Sequence, residues 1–355
     1  MISETKHSKP VNSVKKNPPK LSLGTLRSRF SLRKLGMFLL FQIALPLVTF
    51  PLLVFYGPFD NVRATVVGMS INSSKHQFIA RAFLSDEKIN EILKSNYAVD
   101  PVAAGERIQV LKFGENHSDK IEVFDIRGKD FKGKMMVIHD PASIEVGYSE
   151  NMPISGETTS SIALRNNAVA AINGGGFTDN GWVGTGGSPM GYIIHNGEVI
   201  YNQMNSEKIR MDTAAFTWDG MLIVGMHSIE ELKKYNVKEG ISFGPPLVVN
   251  GNPTITTGDG GWGIAPRTAI GQRKNGEVLF LVIDGRSTES VGATLKDVQD
   301  ILIEYGAVNA VNLDGGSSTT MFFNGKVINK PADRLGERKI PTAFIVVPRV
   351  RRNAE

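Results

Sequence analysis

The sequence predicts an α+β fold with mixed, largely antiparallel sheets and packed helices, preceded by a single N-terminal transmembrane helix. Residues 36–59 form one uncharged run, and short β-like runs separated by Gly-rich turns begin at about residue 121. Only two segments between those runs show helical periodicity, and hairpin-like pairs occur beside strand–helix–strand stretches. This mixture favours α+β over a doubly wound parallel sheet.

The charge is distributed unevenly along the chain. The 355 residues carry a formal net charge of +5, but residues 1–35 contain nine basic residues and one acidic residue. The remainder, with 31 basic and 34 acidic residues, is mildly acidic. The excess positive charge therefore marks one terminus and argues against a nucleic-acid-binding surface. Cysteine is absent, which excludes disulfides, thiolate metal ligands and cysteine nucleophiles.

The uncharged run follows the basic tail directly. Residues 36–59 are long enough to cross a hydrocarbon core of about 30 Å as a helix, and membrane helices tolerate Pro46 and Pro51. A cleaved signal peptide is the competing interpretation, but its apolar region is usually shorter and a small-x-small cleavage site does not directly follow residue 59. We predict a single-pass signal anchor in the cell membrane, with the tail in the cytoplasm and the rest extracytoplasmic.

The chain is predicted to contain four regions. Residues 1–35 form a disordered basic cytoplasmic tail, since proline is interspersed among Lys and Ser, and 36–59 form the anchor. Residues 60–120 form a helical stalk or linker, because 75–97 carry apolar side chains at helical spacing. Residues 121–350 form one large β-rich domain.

Local signals place helices and one turn inside this domain. A helix is predicted over 294–305, where Thr294 and Asp297 resemble a capping box. A shorter helix is predicted over 159–167. Asn-Gly at 196–197, between two apolar runs, predicts a two-residue hairpin turn.

Polar, Gly-rich clusters follow the predicted strands, and such loops expose backbone N–H groups and short side chains for binding. In one of them a strand delivers Asp314 to two glycines and four hydroxyl residues, which could surround an anion. A tight structural turn is the open alternative. The four clusters are INGGGF at 172–177, APRTAIG at 265–271, VIDGR at 282–286 and NLDGGSSTTM at 312–321.

Carboxylates and arginines occur together in these clusters. Asp284 and Arg286 end one strand, and Arg267 lies in another cluster. Arginine binds phosphate oxygens bidentately and carboxyl groups transfer protons, which suits hydrolysis of a glycosyl phosphate. An isolated Asp-Gly-Arg is commonly a turn with a solvated charge. Asn173 could bind a sugar or fix its own loop, and both interpretations stay open.

Several familiar motifs are absent or lack the neighbouring strand and helix that their function requires. GDGGWG at 258–263 matches G-x-G-x-x-G but neither follows a strand nor opens a helix, so it does not predict dinucleotide binding. A Walker A loop and a G-x-S-x-G elbow are absent, and the six histidines lack zinc-site spacing. We expect no cofactor, while an oxygen-ligand Ca²⁺ or Mg²⁺ site built from Asp284 or Asp314 stays open.

The motifs as a set resemble the phosphodiester glycosidase family, which has lysosomal members and bacterial members of the exopolysaccharide-biosynthesis type. The resemblance covers about residues 121–349. It implies hydrolysis of a sugar-1-phosphodiester between the anomeric carbon and the phosphate oxygen. It is carried by AVAAINGGGF, FGPPLVVNG, PRTAIGQRKNGEVLFLVIDGR, GATLKDVQDILIEYGAVNAVNLDGGSSTTM and NKPADRLGERKIPTAFIVV.

The resemblance also implies the site residues. Catalytic roles fall to Asp314, Asp284 and Glu337, with one aspartate acting as acid/base or stabilising an oxocarbenium-like centre. Arg267 and the hydroxyl loop would hold the phosphate, and Asn173 the sugar. The implied substrate-binding residues are Asn173, Gly174, Arg267, Arg286, Gly315, Gly316, Ser317, Ser318, Thr319, Glu157 and Arg338.

The chain departs from the animal members of that family, which contain cysteine and a C-terminal membrane anchor. We therefore expect a membrane-anchored bacterial hydrolase acting on glycosyl-phosphate bonds in envelope, exopolysaccharide or teichoic-acid-like polymers. Its expected partners are such a polymer or glycoconjugate and, through the N-terminal helix, the membrane, but not nucleic acid. The alternatives are a non-catalytic polysaccharide-binding or assembly protein and a metal-dependent phosphodiesterase.

Overall fold

The computed structural model describes residues 32–72, 76–102, 104–113, 118–179 and 184–348. Two compact units, Met1–Gly57 and Pro58–Glu355, divide the chain. The helices are α1 (Leu32–Tyr56), α2 (Asp60–Ile71), α3 (Gln77–Arg81), α4 (Asp86–Lys94), α5 (Thr159–Arg165), α6 (Ile229–Lys234) and α7 (Leu295–Glu304).

The strands of the described residues lie in the second unit. They are β1 (Ile121–Arg127), β2 (Lys132–Ile138), β3 (Ile144–Tyr148), β4 (Ala170–Asn173), β5 (Phe177–Thr178), β6 (Ser188–Pro189), β7 (Tyr192–His195), β8 (Glu198–Asn202), β9 (Met211–Thr217), β10 (Leu222–His227), β11 (Val237–Ser242), β12 (Pro246–Val249), β13 (Asn252–Pro253), β14 (Arg267–Arg273), β15 (Val278–Ile283), β16 (Ala307–Leu313), β17 (Met321–Phe323), β18 (Lys326–Val327) and β19 (Thr342–Val346).

In the first unit, α1 is long and apolar enough to cross a membrane. Length and composition of this kind also fit a signal sequence near the N-terminus. The helix begins four residues before the predicted span 36–59 and ends three residues before its end, ahead of Gly57 and Pro58. The predicted tail lies outside the described residues up to residue 31.

Two helices, α3 and α4, form where residues 75–97 show helical periodicity, and α2 precedes them. Ser85 caps α4 by accepting a hydrogen bond from the backbone N–H of Lys88. Thr65 of α2 and Asn96, just after α4, both donate to the carboxylate of Asp259, at 2.9 and 2.8 Å. The linker predicted over 60–120 is thus attached to the loop around residue 259 by side-chain hydrogen bonds.

Three larger sheets and one short pair make up the strand architecture. Their strand orders are β1-β2-β15-β14-β16-β12-β13, β10-β9-β11-β7-β8, β18-β17-β4-β19-β3 and β5-β6. Neighbouring strands in these sheets pair antiparallel. The α+β class with largely antiparallel sheets is therefore confirmed.

The three larger sheets share one hydrophobic core. Phe280 of β15, Phe216 of β9 and Phe344 of β19 are almost fully buried in the same cluster. The rings of Phe216 and Phe344 meet edge to face with centroids 5.9 Å apart. Burial on both faces explains why β15 is an unbroken apolar run.

The local predictions inside the domain are confirmed, except that one helix is shorter than predicted. The hydroxyl of Thr294 accepts from the backbone N–H of Asp297, and the Asp297 carboxylate accepts from that of Thr294, which completes the capping box of α7. The helix expected over 159–167 ends at Arg165, because Asn167 adopts a φ of 53°. The hairpin turn at 196–197 has positive φ at both residues, as a type I′ turn requires.

A buried charged group links two of the sheets. Glu239 of β11 has no exposed surface, and its carboxylate accepts from the backbone N–H of Val146 at 2.9 Å. The ring Nδ1 of His195 lies 3.0 Å from the same carboxylate. This hydrogen bond raises the pKa of His195 above its ordinary value.

We predict a pH-dependent contribution of His195 to stability. Because its pKa is raised on folding, the charged imidazole stabilises the fold below the unfolded pKa of about 6.5, and this contribution is lost as the pH rises through the folded pKa. The difference in Tm between the wild type and His195→Gln in detergent should be largest at pH 5.5 and should shrink above pH 7. A difference that does not change with pH would contradict this.

Candidate active site

Antiparallel pairing brings three strand ends to one edge of the seven-stranded sheet. Strand β14 lies between β15 and β16, and its first residue, Arg267, pairs with Ile283 at the end of β15. Its second residue pairs with Leu313 at the end of β16. Asp284 and Asp314, one position beyond those ends, therefore start the loops at the same edge.

The end of β4, in a different sheet, joins this edge through the backbone. The N–H of Asp314 donates to the carbonyl of Gly174 at 3.0 Å, and the N–H of Gly174 donates to that of Thr342 at 2.8 Å. A side chain at Gly174 would collide with Thr342, since its Cβ would lie 2.6 Å from Oγ1. All four Gly-rich clusters predicted from the sequence therefore meet in one region.

The turn after Asp314 is built on two glycines. A Cβ on Gly315 would lie 2.7 Å from the carbonyl oxygen of Pro266, and Gly316 has a φ of +62°. The N–H of Gly316 donates to that Pro266 carbonyl at 2.9 Å. A Cβ on Gly316 would lie 3.1 Å from Nη2 of Arg286, so the missing side chain admits the guanidinium group to the turn.

Arg286, Arg338 and Asp314 form the charged centre of the site. We call the two arginines the arginine pair. Arg286 donates from Nη1 to the hydroxyl of Ser317 at 3.0 Å. Partial loss of hydration lowers the pKa of Arg286, the charge of Arg338 lowers it further, and Asp314 opposes both effects. The three charges thus lie within interaction range of one another.

Burial raises the pKa of the Asp314 carboxyl to about 6. The Ser318 hydroxyl, Arg338, the Gly315 N–H and Arg286 all stabilise the ionised form, but their combined effect is smaller than that of desolvation. A carboxyl group with a pKa near neutrality can accept or donate a proton under ordinary conditions. This is a property expected of a catalytic acid or base.

Arg286 is held in an unusual backbone conformation. Its φ is 58°, in the left-handed region that costs a residue with a side chain about 1 kcal/mol or more. The turn is closed by hydrogen bonds from its N–H to Val291 at 3.1 Å and from Ser287 to Ser290 at 3.0 Å. Such strain is concentrated at functional sites, which favours a functional role over a solvated turn.

Arg338 is oriented by two residues that are not among the predicted site residues. Its guanidinium group donates to the carboxylate of Asp179 and lies 4.9 Å from the ring centroid of Phe177. A third unpredicted residue, Asp333, raises the pKa of Arg286. Phe177 is the last residue of the INGGGF cluster and Asp179 lies two positions after it, but neither carries a local signal for its contact with Arg338.

Arg267 is placed differently from its expected role. It is buried, and it donates from Nε to the carbonyl of Ala293 at 3.0 Å and from Nη2 to those of Trp262 and Gly263. Burial lowers its pKa to about 10. These bonds fix the loop that contains Trp262 and Gly263, and the phosphate-binding role implied for Arg267 stays a prediction.

Asp284 lies in a neighbouring hydrogen-bond network. Its Oδ1 accepts from Nδ2 of Asn329 and from the N–H of Lys330, both at 3.0 Å. Burial raises its pKa, and the charges that oppose this are Lys134 and Lys330, not the arginines. Asn329 also donates to the carbonyl of Thr319. Asp284 therefore supports the turn that carries Ser317 to Thr320, which we call the hydroxyl turn, through Asn329.

The side chain of Asn173 fixes loops. Its Oδ1 accepts from the hydroxyl of Thr268 at 2.7 Å and from the N–H of Thr320 at 3.1 Å, and its Nδ2 donates to the carbonyl of Asp314. The residue has no exposed surface. Of the two interpretations that the sequence left open, this geometry favours loop fixation over sugar binding.

Glu337 and Glu157 also make structural contacts. The Glu337 carboxylate accepts from the backbone N–H of Ser160 at 2.9 Å and from its hydroxyl, so it caps the N-terminus of α5. Glu157 pairs with Arg165 at 3.1 Å. Glu337 thereby anchors the segment that carries Arg338, and its implied catalytic role stays a prediction.

Two buried hydroxyls of the turn remain without a hydrogen-bond partner in the described part of the chain, those of Thr319 and Thr320. Ser317 and Ser318, in contrast, contact the charged centre, the first through Arg286 and the second through Asp314. Among the described residues, groups of three or more His, Asp or Glu side chains arranged to hold a metal ion are not found.

The GDGGWG segment is a structural connector. The Asp259 carboxylate receives hydrogen bonds from Thr65, Asn96 and the N–H of Gly261. The Trp262 ring contacts Phe243 edge to face, with centroids 6.1 Å apart. The segment thus links α2 and the residue after α4 to the site edge.

The comparisons with known proteins point to one family. Residues 166–347 match the family model described as phosphodiester glycosidase. A SPβ prophage-derived uncharacterized protein, YomE of Bacillus subtilis strain 168, is 31% identical over 220 residues, which are 59% of this chain and 32% of that protein. Bovine N-acetylglucosamine-1-phosphodiester alpha-N-acetylglucosaminidase is 40% identical over 70 residues, 20% of this chain and 13% of that protein.

A solved structure resembles the fold more extensively. The catalytic domain of the zebrafish N-acetylglucosamine-1-phosphodiester alpha-N-acetylglucosaminidase, auto-inhibited by its pro-peptide, aligns with a TM-score of 0.59 and 25% identity. The alignment covers 70% of this chain and 91% of that domain. The chain spans about a third or less of the length of the curated relatives that it matches.

We predict that Asn173→Ala lowers the free energy of unfolding by about 2–3 kcal/mol, because two buried donors lose their acceptor. The measurement is chemical denaturation in detergent. Asn166→Ala, which removes a single partly buried amide contact, is the control and should cost less. Unchanged stability together with a raised KM for a sugar phosphodiester would instead support direct sugar binding by Asn173.

Proposed function

The chain belongs to the phosphodiester glycosidase family, and we propose that it hydrolyses a sugar-1-phosphodiester between the anomeric carbon and the phosphate oxygen. The observation that carries this proposal is the convergence of Arg286 and Arg338 on Asp314, whose pKa is raised to about 6. A phosphodiester is an anion, and guanidinium groups bind phosphate oxygens through paired hydrogen bonds. Family membership and local geometry support the same chemistry.

The charge balance at the site suits an anionic substrate. Arg286 donates to a neutral hydroxyl, that of Ser317, so this bond does not neutralise its positive charge. Arg338 is paired with Asp179, which fixes its direction. Although Asp179 offsets part of the charge of Arg338, the two guanidinium groups can bind the phosphodiester and offset its repulsion by Asp314.

Asp314 would act as the base. In its ionised form it takes a proton from the attacking water, whose oxygen forms the new bond to the anomeric carbon. The bond from that carbon to the phosphate oxygen breaks, and its electron pair leaves with the phosphate. Because a phosphate is already a good leaving group, the arginines would contribute more by stabilising its charge than an acid would by protonating it.

The surrounding residues would position these groups. Ser318 hydrogen-bonds Asp314, Ser317 holds Arg286, and Glu337 anchors the segment of Arg338 to α5. Asn173 and Arg267 would hold the loops on which the three charges lie. The division between charged groups that contact the substrate and buried polar groups that support them is typical of hydrolytic sites.

The cellular setting belongs to the same proposal. Helix α1 would act as a signal anchor, with the basic residues 1–35 in the cytoplasm and the domain of residues 121–350 in the extracytoplasmic space. An anchored hydrolase suits envelope, exopolysaccharide or teichoic-acid-like polymers that contain glycosyl-phosphate bonds. The candidate span and the charge asymmetry of the tail support this arrangement.

We predict that Asp314→Asn lowers kcat/KM for the methyl phosphodiester of N-acetylglucosamine-1-phosphate by at least about 100-fold. In the wild type, kcat/KM should fall as the pH drops below about 6, because the raised pKa of Asp314 leaves the base protonated there. Initial rates of the detergent-purified chain from pH 4.5 to 8.5 measure both effects.

Asp284→Asn is the matched control, since it changes a neighbouring half-buried carboxyl outside the arginine pair. This variant should keep the decline in rate at low pH. If Asp314→Asn folds, as judged by its Tm, and hydrolyses the ester at the wild-type rate, the assigned role of Asp314 is wrong.

A further inference from the structure

The carboxylate of Asp259, in the GDGGWG segment, receives hydrogen bonds from two distant parts of the chain. Its Oδ2 accepts from the hydroxyl of Thr65 in α2 at 2.9 Å. Its Oδ1 accepts from Nδ2 of Asn96 and from the N–H of Gly261, both at 2.8 Å. The N–H of Asp259 donates in return to Oδ1 of Asn96 at 3.1 Å. Asp259 therefore joins the helical linker, residues 60–97, to the GDGGWG segment.

Helix α2 also approaches the segment so closely that side chains are excluded between them. A Cβ on Gly68 would lie 2.4 Å from the carbonyl oxygen of Gly261, and a Cβ on Gly263 would lie 2.9 Å from that of Thr65. Nδ2 of Asn72 donates to the carbonyl of Gly261 at 3.1 Å. Because close-packed groups have little room to yield, a shift of α2 would move the segment with it.

On its other side, the segment binds Arg267. The guanidinium group donates from Nη2 to the carbonyls of Trp262 and Gly263. Burial lowers the pKa of Arg267, and the charge of Asp259 is the largest of the effects that oppose this. The same carboxylate thus fixes the loop and stabilises the buried charge that the loop carbonyls bind.

The backbone just before β14 lies between the two turns of the charged centre. A Cβ on Gly285, one position before Arg286, would lie 2.9 Å from the nitrogen of Pro266. A Cβ on Gly315, one position after Asp314, would lie 2.7 Å from the Pro266 carbonyl oxygen. Because both turns pack on its backbone, the position of Pro266 sets the separation of these two charged residues.

We propose that Asp259 is a positioning residue of the hydrolytic site, which acts through Arg267 and Pro266 on the distance between Asp314 and Arg286. The inference rests on the proposed function. Catalytic groups must be held within about 0.5 Å of their productive geometry, and a displacement of about 1 Å can lower a rate about 100-fold. The helical linker is then a part of the hydrolase and not a passive spacer.

The test measures hydrolysis of the methyl phosphodiester of N-acetylglucosamine-1-phosphate by the full-length chain in detergent. Thr65→Val removes one donor to Asp259 and keeps the shape of the side chain. Its kcat/KM should fall about tenfold, with kcat lowered more than KM is raised, since the arginine pair still binds the phosphate while Asp314 is displaced. Thr65→Ser keeps the hydroxyl and should retain most of the wild-type rate.

Asp259→Ala removes all the acceptors of the carboxylate and should lower kcat/KM further. Thr65→Val keeps the test decisive if that variant does not fold. A merely structural role would lower the Tm of Thr65→Val and leave its kcat/KM unchanged at temperatures well below that Tm.

Ser85→Ala is the matched control, because it removes the hydrogen bond that caps α4 and so loosens the same linker at a different point. Its kcat/KM should equal that of the wild type. Wild-type kcat/KM in Thr65→Val, or an equal loss in Ser85→Ala, would overturn the inference while leaving the proposed function intact. A wild-type chain that does not hydrolyse the ester would contradict the proposed function, and this inference with it.

Discussion

The side-chain amide of Asn173 is the contact on which the rest of the site depends. It lies at the end of β4 in one sheet and bonds Thr268 of β14, in another sheet, through a hydroxyl. The same amide accepts from the N–H of Thr320 and donates to the carbonyl of Asp314, so it holds both ends of the hydroxyl turn. Because it is fully buried, each unmade bond would cost about 1–3 kcal/mol. The position of Asp314 relative to the sheets is therefore set by a neutral, solvent-free contact.

The electrostatic behaviour of the site follows from that position. A carboxyl group held in a partly dehydrated turn is destabilised in its charged form, and neighbouring guanidinium groups reverse only part of this effect. Gly316 lets Arg286 approach the turn, and the left-handed backbone of Arg286 is tolerated because its turn is closed by hydrogen bonds. The result is a carboxyl that titrates near neutral pH beside two fixed positive charges. Such a centre can bind an anionic diester and still transfer a proton.

Structural features that depend on residues close together in the sequence could be predicted. The roles of individual polar side chains could not. The capping box at Thr294, the hairpin turn at 196–197 and the antiparallel character depend on neighbouring residues and were predicted. The Gly-rich clusters also identified the edge where the strands end. The contacts of Arg267 with the carbonyls of Trp262, Gly263 and Ala293 could not be predicted, because these residues lie in irregular segments that carry no local signal for them. Similarly, Asp179 orients Arg338 across 159 residues of sequence, a pairing that only the folded chain creates.

The central claim is that the bond broken is the glycosidic one, with the phosphate retained by the arginines. The most direct measurement is hydrolysis of the methyl phosphodiester of N-acetylglucosamine-1-phosphate in ¹⁸O-labelled water, followed by mass spectrometry of both products. The account predicts the label in the sugar and none in the released methyl phosphate. Label in the phosphate product would show attack at phosphorus, and it would contradict the account in favour of a phosphodiesterase.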